Sequence, residues 1–349
     1  MLLQVAELAD IFTGRLREEV PLAFTALASA LLTCPNLHTI NFSDNAFGLS
    51  IEAPLVSLLS QHGPLQHLIL NNNGLGPFCG TSIARSLTKL AQLKKSNPKF
   101  PPLETIICGR NRLENGSMEA WAEAFRENDQ MKLVKMVQNG IRPEGISILI
   151  NGLSGCRALE TLDLQDNTFT LRGSQALVKA LAGWPRLTEL GVGDCLLGSR
   201  GSTIIAEALG EGKTKGLRIL RLQYNGIDEG TANAFRIAVD QAMPNLEKLE
   251  LNGNKFSEED EVVQQLREIF QQRGYGELDE LDDMEEENEE ESEEESEEES
   301  EEVSEKEEEA EEKADVLKRV EENEVRHVAL ERDEQVNRLA DMFARKARV

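Results

Sequence analysis

Residues 65–77 read LQHLILNNNGLGP, and this stretch decides the fold because its pattern returns along the chain. It fits L-x-x-L-x-L-x-x-N-x-L, with Asn73 at the asparagine position. Seven other segments fit the same pattern: LHTINFSDNAF from Leu37, LETIICGRNRL from Leu103, MKLVKMVQNGI from Met131, LETLDLQDNTF from Leu159, LTELGVGDCLL from Leu187, LRILRLQYNGI from Leu217 and LEKLELNGNKF from Leu246. Intervals between successive asparagine positions are 28 to 30 residues, apart from one of 38 that contains the insert KKSNPKFPP.

This period leaves room for one strand and one helix in every repeat. Between two strand segments, Ile83, Leu87 and Leu90 recur at helical spacing on one face. The sequence therefore predicts an α/β leucine-rich-repeat solenoid, a ribonuclease-inhibitor-like horseshoe with parallel strands inside and helices outside. We expect this domain to cover residues 1–275 with about nine repeats, the first degenerate because Ile11 stands at its asparagine position.

The chain's charge is concentrated near its C-terminal end. Residues 277–313 hold 25 Asp or Glu and two Lys, a net charge of −23 out of −26 for all 349 residues. Such a self-repelling segment cannot bury enough apolar surface to fold, so 276–313 is predicted to be disordered. Its serines at 292, 296 and 304 each precede a glutamate by three positions, a pattern typical of acid-directed kinase sites. A helix is predicted within 314–349.

The asparagines of NNN are expected to have different roles. In a strand, side chains alternate between two faces, so Asn71 should face the concave side. The asparagine position itself should turn inward and satisfy backbone groups in every repeat. Asn72 precedes it on the exposed rim, where no core contact fixes its identity. The predicted structural ladder consists of Asn45, Asn73, Asn111, Asn139, Asn167, Asn225 and Asn254, with Cys195 filling one position.

Several classes of function find no support in the residues. No nucleophile–base set, phosphate-binding loop or metal-ligand spacing is present, so we expect no intrinsic enzyme, no cofactor and no metal. The polyanion disfavours nucleic acid as a partner, and no apolar run is long enough to span a bilayer. The five cysteines form no disulfide framework, which favours a reducing compartment. A solenoid of this kind typically binds protein, and we expect a monomer.

Longer motifs carry a family resemblance. The stretches DIFTGR, NNGLGP, IICGRNRLENGS, LELNGN and GELDELDDMEE resemble the Ran GTPase-activating proteins, especially the fungal form, over roughly residues 3–285. The resemblance implies a protein that binds GTP-bound Ran, with or without a Ran-binding protein, and accelerates GTP hydrolysis. It also implies a role in nucleocytoplasmic transport from a cytoplasmic or perinuclear location. The family has further repeat sequence before DIFTGR, so the resemblance implies an N-terminally shortened chain.

The resemblance also assigns roles to single residues. Asn72 matches the family asparagine that reaches the nucleotide site and helps to orient the GTPase's own catalytic glutamine. Arg15 matches an arginine that supports the interface. From the residues alone, it could be a cation inserted at another protein's phosphate site or form a salt bridge to Glu18 or Glu19, and composition favours the salt bridge. Arg110 and Arg112 match arginines near the Ran surface. The rim residues Asp44 and Gln138 complete the predicted partner-binding set.

Two alternatives stay open at this point. Acidic leucine-rich-repeat proteins that bind histones or other basic proteins also combine repeats with a polyglutamate tail, although their repeats are shorter and fewer. A ribonuclease-inhibitor-like blocker shares the repeat length and would inhibit its target without stimulating a GTPase. Deleting 277–313 tests the first alternative, because the deletion should abolish histone binding but only slow a GTPase activator. A GTP hydrolysis assay on Ran tests the second alternative, because an inhibitor of this kind would not stimulate hydrolysis.

Overall fold

The computed structural model describes residues 3–16 and 18–285. Within them, ten short strands form one parallel sheet in chain order. Each strand aligns with its neighbours at the same repeat position, so that Leu68 pairs with Ile40 on one side and Ile106 on the other. The strands are β1 Val5–Glu7, β2 Thr39–Asn41, β3 His67–Ile69, β4 Thr105–Ile107, β5 Leu133–Lys135, β6 Thr161–Asp163, β7 Glu189–Gly191, β8 Ile219–Arg221, β9 Lys248–Glu250 and β10 Glu277–Leu278.

A helix follows each of the first nine strands and packs against the helices of the adjacent repeats. The helices are α1 Val20–Leu32, α2 Glu52–Gln61, α3 Gly76–Ser96, α4 Met118–Glu127, α5 Pro143–Leu153, α6 Thr170–Leu181, α7 Gly198–Gly210, α8 Glu229–Ala242 and α9 Glu261–Arg273. In α3, Pro77 occupies the first turn, where its missing N–H costs nothing, and Ile83, Leu87 and Leu90 are buried on the inward face. The predicted leucine-rich-repeat solenoid is therefore confirmed.

The core lies between the sheet and the helices as one continuous row of apolar layers. Leu65, Leu68, Leu70 and Leu75 of the third repeat are all fully or almost fully buried. Burying such a side chain stabilises the fold by about 1.5–3 kcal/mol, but only when the next repeat covers it. Parallel strands lie about 4.8 Å apart and packed helices about 8–10 Å apart, so the helical side is longer and the sheet lines the concave side.

The folded repeats extend past the predicted boundary at residue 275, so the prediction that disorder begins at 276 is wrong for residues 276–285. Here Glu277 and Leu278 form the tenth strand, and Leu281 is buried in the core. The Asp279 carboxylate accepts hydrogen bonds from the backbone N–H groups of Leu251 (2.8 Å) and Asn252 (3.1 Å). The repeat persists within this acidic composition because Leu278 keeps the register with Leu249, while Asp279 caps the sheet edge.

The predictions for the rest of the acidic segment and for a C-terminal helix over 314–349 lie outside the described residues. Within the described part, no helix combines the length and apolar character needed to cross a membrane.

Candidate functional site

The residue that precedes each ladder position lies at the exposed edge where the strands end. We define these nine residues as the rim: Asp10, Asp44, Asn72, Arg110, Gln138, Asp166, Asp194, Tyr224 and Gly253. Every one of them has a positive φ, between 51° and 70°. The left-handed turn rotates the following side chain into the core. Among the amino acids, glycine, asparagine and aspartate adopt this conformation at the lowest energetic cost. Backbone geometry thus explains part of the rim composition, a constraint that the sequence pattern did not reveal.

The ladder asparagine Asn73 is buried and joins three stretches of backbone. Its Nδ2 donates hydrogen bonds to the carbonyls of Phe42 (3.0 Å), Leu70 (3.0 Å) and Asn71 (3.1 Å). Its Oδ1 accepts a hydrogen bond from the backbone N–H of Asn45 (3.0 Å). The equivalent amide oxygens of Asn111, Asn139, Asn167, Asn225 and Asn254 accept from the neighbouring repeat in the same way.

The two asparagines before Asn73 make different contacts. Asn71 accepts a hydrogen bond at Oδ1 from the backbone N–H of Gly109 at 2.6 Å, a role that the sequence did not predict. The exposed Asn72 donates from Nδ2 to the carboxylate of Asp44 at 2.9 Å. That contact fixes the amide, and among the described residues nothing donates to Asn72 Oδ1. The rim therefore presents an oriented amide whose oxygen is open to a partner.

Two arginines occupy backbone conformations that their side chains do not favour. Arg110 (φ 56°) and Arg112 (φ 54°) flank Asn111, and both are exposed. Gln138 is also left-handed (φ 53°) and exposed. A left-handed residue other than glycine costs about 1–2 kcal/mol, and the repeat imposes this conformation at every rim position whatever the side chain. The arginines therefore place a positive charge at the middle of the rim that the fold itself does not require.

Arg15 lies at the same edge of the sheet, in the turn after β1. Its backbone N–H donates to the carbonyl of Phe12 (3.0 Å), and its side chain is exposed. Within 3–16 and 18–285, its guanidinium forms no ion pair with Glu18 or Glu19, so that salt bridge is absent from this part of the structure. Arg15 is thus available to a partner that approaches the first repeats.

Further along the rim, polar residues line a shallow depression of about 430 Å³. Arg112, Gln138 and Asp166 contribute to it. Partial burial raises the pKa of the Asp166 carboxyl, Asp194 raises it further, and Arg110 opposes the increase. The central rim therefore combines two carboxylates with two guanidinium groups, an arrangement suited to a polar protein surface.

On the concave face of the later repeats, the charged side chains form ion pairs with one another. Glu189 contacts Lys135 at 3.0 Å and Arg221 at 2.6 Å, and Arg221 reaches Glu250 at 3.3 Å. Burial by itself would raise the pKa of Glu189, but hydrogen bonds from Arg221 and Lys135 hold it below its usual range. Because these charges satisfy one another, the rim and its adjoining loops are the better candidate for partner contacts.

Chemistry by the chain's own groups finds little support in the described region. No group of three or more potential ligands there could hold a metal ion. The five free cysteines are all buried, and burial raises the pKa of Cys79, Cys108 and Cys156 to about 12 and that of Cys195 further still. Thiols of this kind are unreactive core residues.

Comparison with known proteins identifies what this arrangement resembles. Residues 155–178 match the family described as Leucine Rich repeat. The chain is 44% identical over 267 residues to Ran GTPase-activating protein 1 of Saccharomyces cerevisiae, an alignment covering 75% of this chain and 65% of the relative. The resemblance to the Ran GTPase-activating proteins is confirmed.

Animal members of that family match over shorter stretches. Ran GTPase-activating protein 2 of Caenorhabditis elegans is 39% identical over 140 residues, covering 39% of this chain and 14% of the relative. Ran GTPase-activating protein 1 of Xenopus laevis is 41% identical over 136 residues, covering 38% of this chain and 23% of the relative. The chain thus spans less than two thirds of the length of each of these three Ran GTPase-activating proteins.

Proposed function

We propose that this protein stimulates GTP hydrolysis by Ran in its GTP-bound form and thereby supports nucleocytoplasmic transport. The observation that carries the proposal is the exposed, oriented amide of Asn72 on a solenoid 44% identical to a Ran GTPase-activating protein. The protein acts in trans: it contributes side chains to the GTPase's active site and turns over no substrate of its own. Nothing in the comparisons favours the histone-binding alternative.

The rim geometry supports a positioning mechanism. Asp44 holds the amide of Asn72, so that its Oδ1 can accept a hydrogen bond from the GTPase's catalytic glutamine without reorganising first. A glutamine held in this way aligns the attacking water with the γ-phosphate. Orientation of reacting groups and preorganised polar contacts lower barriers by several kcal/mol without any covalent step.

The three arginines contact the GTPase at different positions along the same edge of the sheet. Arg110 and Arg112 carry positive charge at the middle of the rim and contact the GTPase surface, while Arg15 supports the interface at the first repeat. Asp44 and Gln138 complete the contact surface. Activating proteins of small GTPases raise hydrolysis by up to about 10⁵-fold, or about 7 kcal/mol. One positioned group supplies about 10²–10³ of such a factor.

The decisive experiment is single-turnover hydrolysis of GTP on Ran with and without the protein. Asn72→Gly removes the amide and keeps the left-handed backbone, so it should reduce the stimulated rate at saturating protein by about 10²-fold. Tyr224→Gly is the matched control, since it also replaces an exposed left-handed rim residue that donates one exposed hydrogen bond, about 24 Å away along the sheet. It should leave the rate within about twofold.

One result would end the proposal, and another would remove one residue from it. Unmodified, folded protein that leaves Ran's hydrolysis unchanged removes the function. Equal effects of the two glycine variants remove the role of Asn72 while leaving the function standing. We also propose that the protein is a monomer and that it is located in the cytoplasm. The free thiols support the location, because unpaired cysteines are typical of a reducing compartment.

A further inference from the structure

Each of the first three repeats exposes a large apolar side chain just before or at the start of its helix: Leu16 and Leu49 lie in the connecting loops, and Phe78 lies in the first turn of α3. Leu16 is 67% exposed, Leu49 58% and Phe78 65%. Each lies four or five residues after its ladder position, and so five or six residues after the rim residues Asp10, Asp44 and Asn72 respectively. We call these three side chains the apolar strip.

Backbone hydrogen bonds hold these loops against one another. The N–H of Gly48, next to Leu49, donates to the carbonyl of Asn73 at 2.9 Å. The amide oxygen of Asn45 accepts from the backbone of Ile11 at 2.9 Å, which ties the second loop to the first. Positive φ at Gly48 (52°) and Gly76 (66°) turns the chain just before Leu49 and Phe78. The strip is therefore a fixed surface across three adjacent repeats.

The core does not account for this exposure. The inward positions of the same loops are already filled by Phe12, Phe47 and Leu75, which are buried, and the first two rings pack at 5.6 Å. In the fifth to seventh repeats the position equivalent to Phe78 carries charge instead: Glu144, Arg172 and Arg200. Three exposed apolar side chains thus lie in consecutive repeats that contain Arg15 and Asn72, whereas the later strand-to-helix connections expose Leu196 (61%) and Tyr224 (44%). Exposed apolar groups clustered in this way mark interaction sites.

We propose that the apolar strip binds an apolar patch of the GTPase beside its nucleotide site and supplies affinity, whereas Asn72 supplies rate. This inference rests on the proposed function. The reason for choosing this occupant is continuity: the N–H of Gly48 donates to Asn73, so the loop that carries Leu49 is held against the residue next to Asn72, and Phe78 follows Asn73 by five residues. Aromatic and apolar anchors surrounded by polar residues carry much of the binding energy at protein interfaces.

The test separates binding from hydrolysis with single substitutions. Phe78→Ser and Leu49→Ser should each weaken binding to Ran loaded with a non-hydrolysable GTP analogue by about tenfold, measured as Kd. Their hydrolysis rates at saturating protein should stay within about twofold of the unmodified protein. Ile237→Ser is the control, because Ile237 is 39% exposed on α8, far along the chain from the strip, and should change neither quantity. Thermal melts establish that every variant is folded.

Each outcome decides the matter. An unchanged Kd in both strip variants overturns the inference while leaving the proposed function intact, and so does a fall in the saturating rate without a change in Kd. A strip that pairs with a second copy instead would show as a dimer in sedimentation that both variants dissociate, which also overturns it. Unmodified protein that neither binds Ran nor stimulates hydrolysis removes the proposed function and this inference together.

Discussion

Replacing Asn73 by alanine should destabilise the solenoid far more than removing the side chain of its neighbour Asn72. Asn73 is fully buried, and its amide makes four hydrogen bonds, three from Nδ2 and one at Oδ1. Because Nδ2 has only two hydrogens, shared among three carbonyls, the amide makes about three full hydrogen bonds of about 1 kcal/mol net each, so Asn73→Ala should cost about 3 kcal/mol of unfolding free energy. Asn72→Gly loses one exposed hydrogen bond and relieves a left-handed backbone, so its cost should stay below about 1 kcal/mol.

Urea denaturation followed by tryptophan fluorescence can measure both changes. Trp121 and Trp184 are fully buried in separate repeats, so both report on loss of the core. The loss for Asn73→Ala is a large part of the 5–15 kcal/mol typical of a folded domain, and the midpoint should fall clearly. A cost below about 1 kcal/mol for Asn73→Ala would refute the ladder argument. A cost above about 2 kcal/mol for Asn72→Gly would show that this rim residue is structural.

Three further predictions concern the rim, the last repeat and the third repeat. Asp44→Gly keeps the left-handed turn and releases the Asn72 amide, so stimulated hydrolysis should fall by about tenfold while the urea midpoint stays; an unchanged rate would contradict the positioning role. Gly253→Ala places a Cβ 2.2 Å from the Tyr224 ring at a φ of +70°, so it should cost about 1–2 kcal/mol in the same denaturation assay; full stability would contradict this geometry. Burial lowers the pKa of Lys94 to about 8, whereas the ordinary lysine pKa is about 10.4. Between these two pH values the unfolded chain binds more protons than the folded chain, so the contribution of Lys94 to folding stability increases as pH rises. The stability of the unmodified protein relative to Lys94→Met should therefore increase over that window; a constant difference would argue against the lowered pKa.

Much of the candidate site could be predicted because it follows from local register. Once Asn73 is placed at the ladder position, Asn72 must precede it at the exposed strand end, and Arg110 must occupy the same rim in the next repeat. The missed features depend on other repeats. The Asn71 contact to Gly109 spans 38 residues, and no pattern within one repeat announces it. The tenth strand was missed because Leu278 stands within an acidic run whose composition alone indicates disorder.

The sequence by itself determined the repeat length, the order of strands and helices, and the inward position of each ladder asparagine. These features follow from a motif that recurs at a nearly constant interval, and from the alternation of side chains along a strand. Only the tertiary structure decided that the rim is left-handed, that Asp44 fixes the Asn72 amide, and that Phe78 is exposed. The physical reason is that these properties arise where two repeats meet, and contacts between residues 28 or more apart leave no trace in the pattern of one repeat.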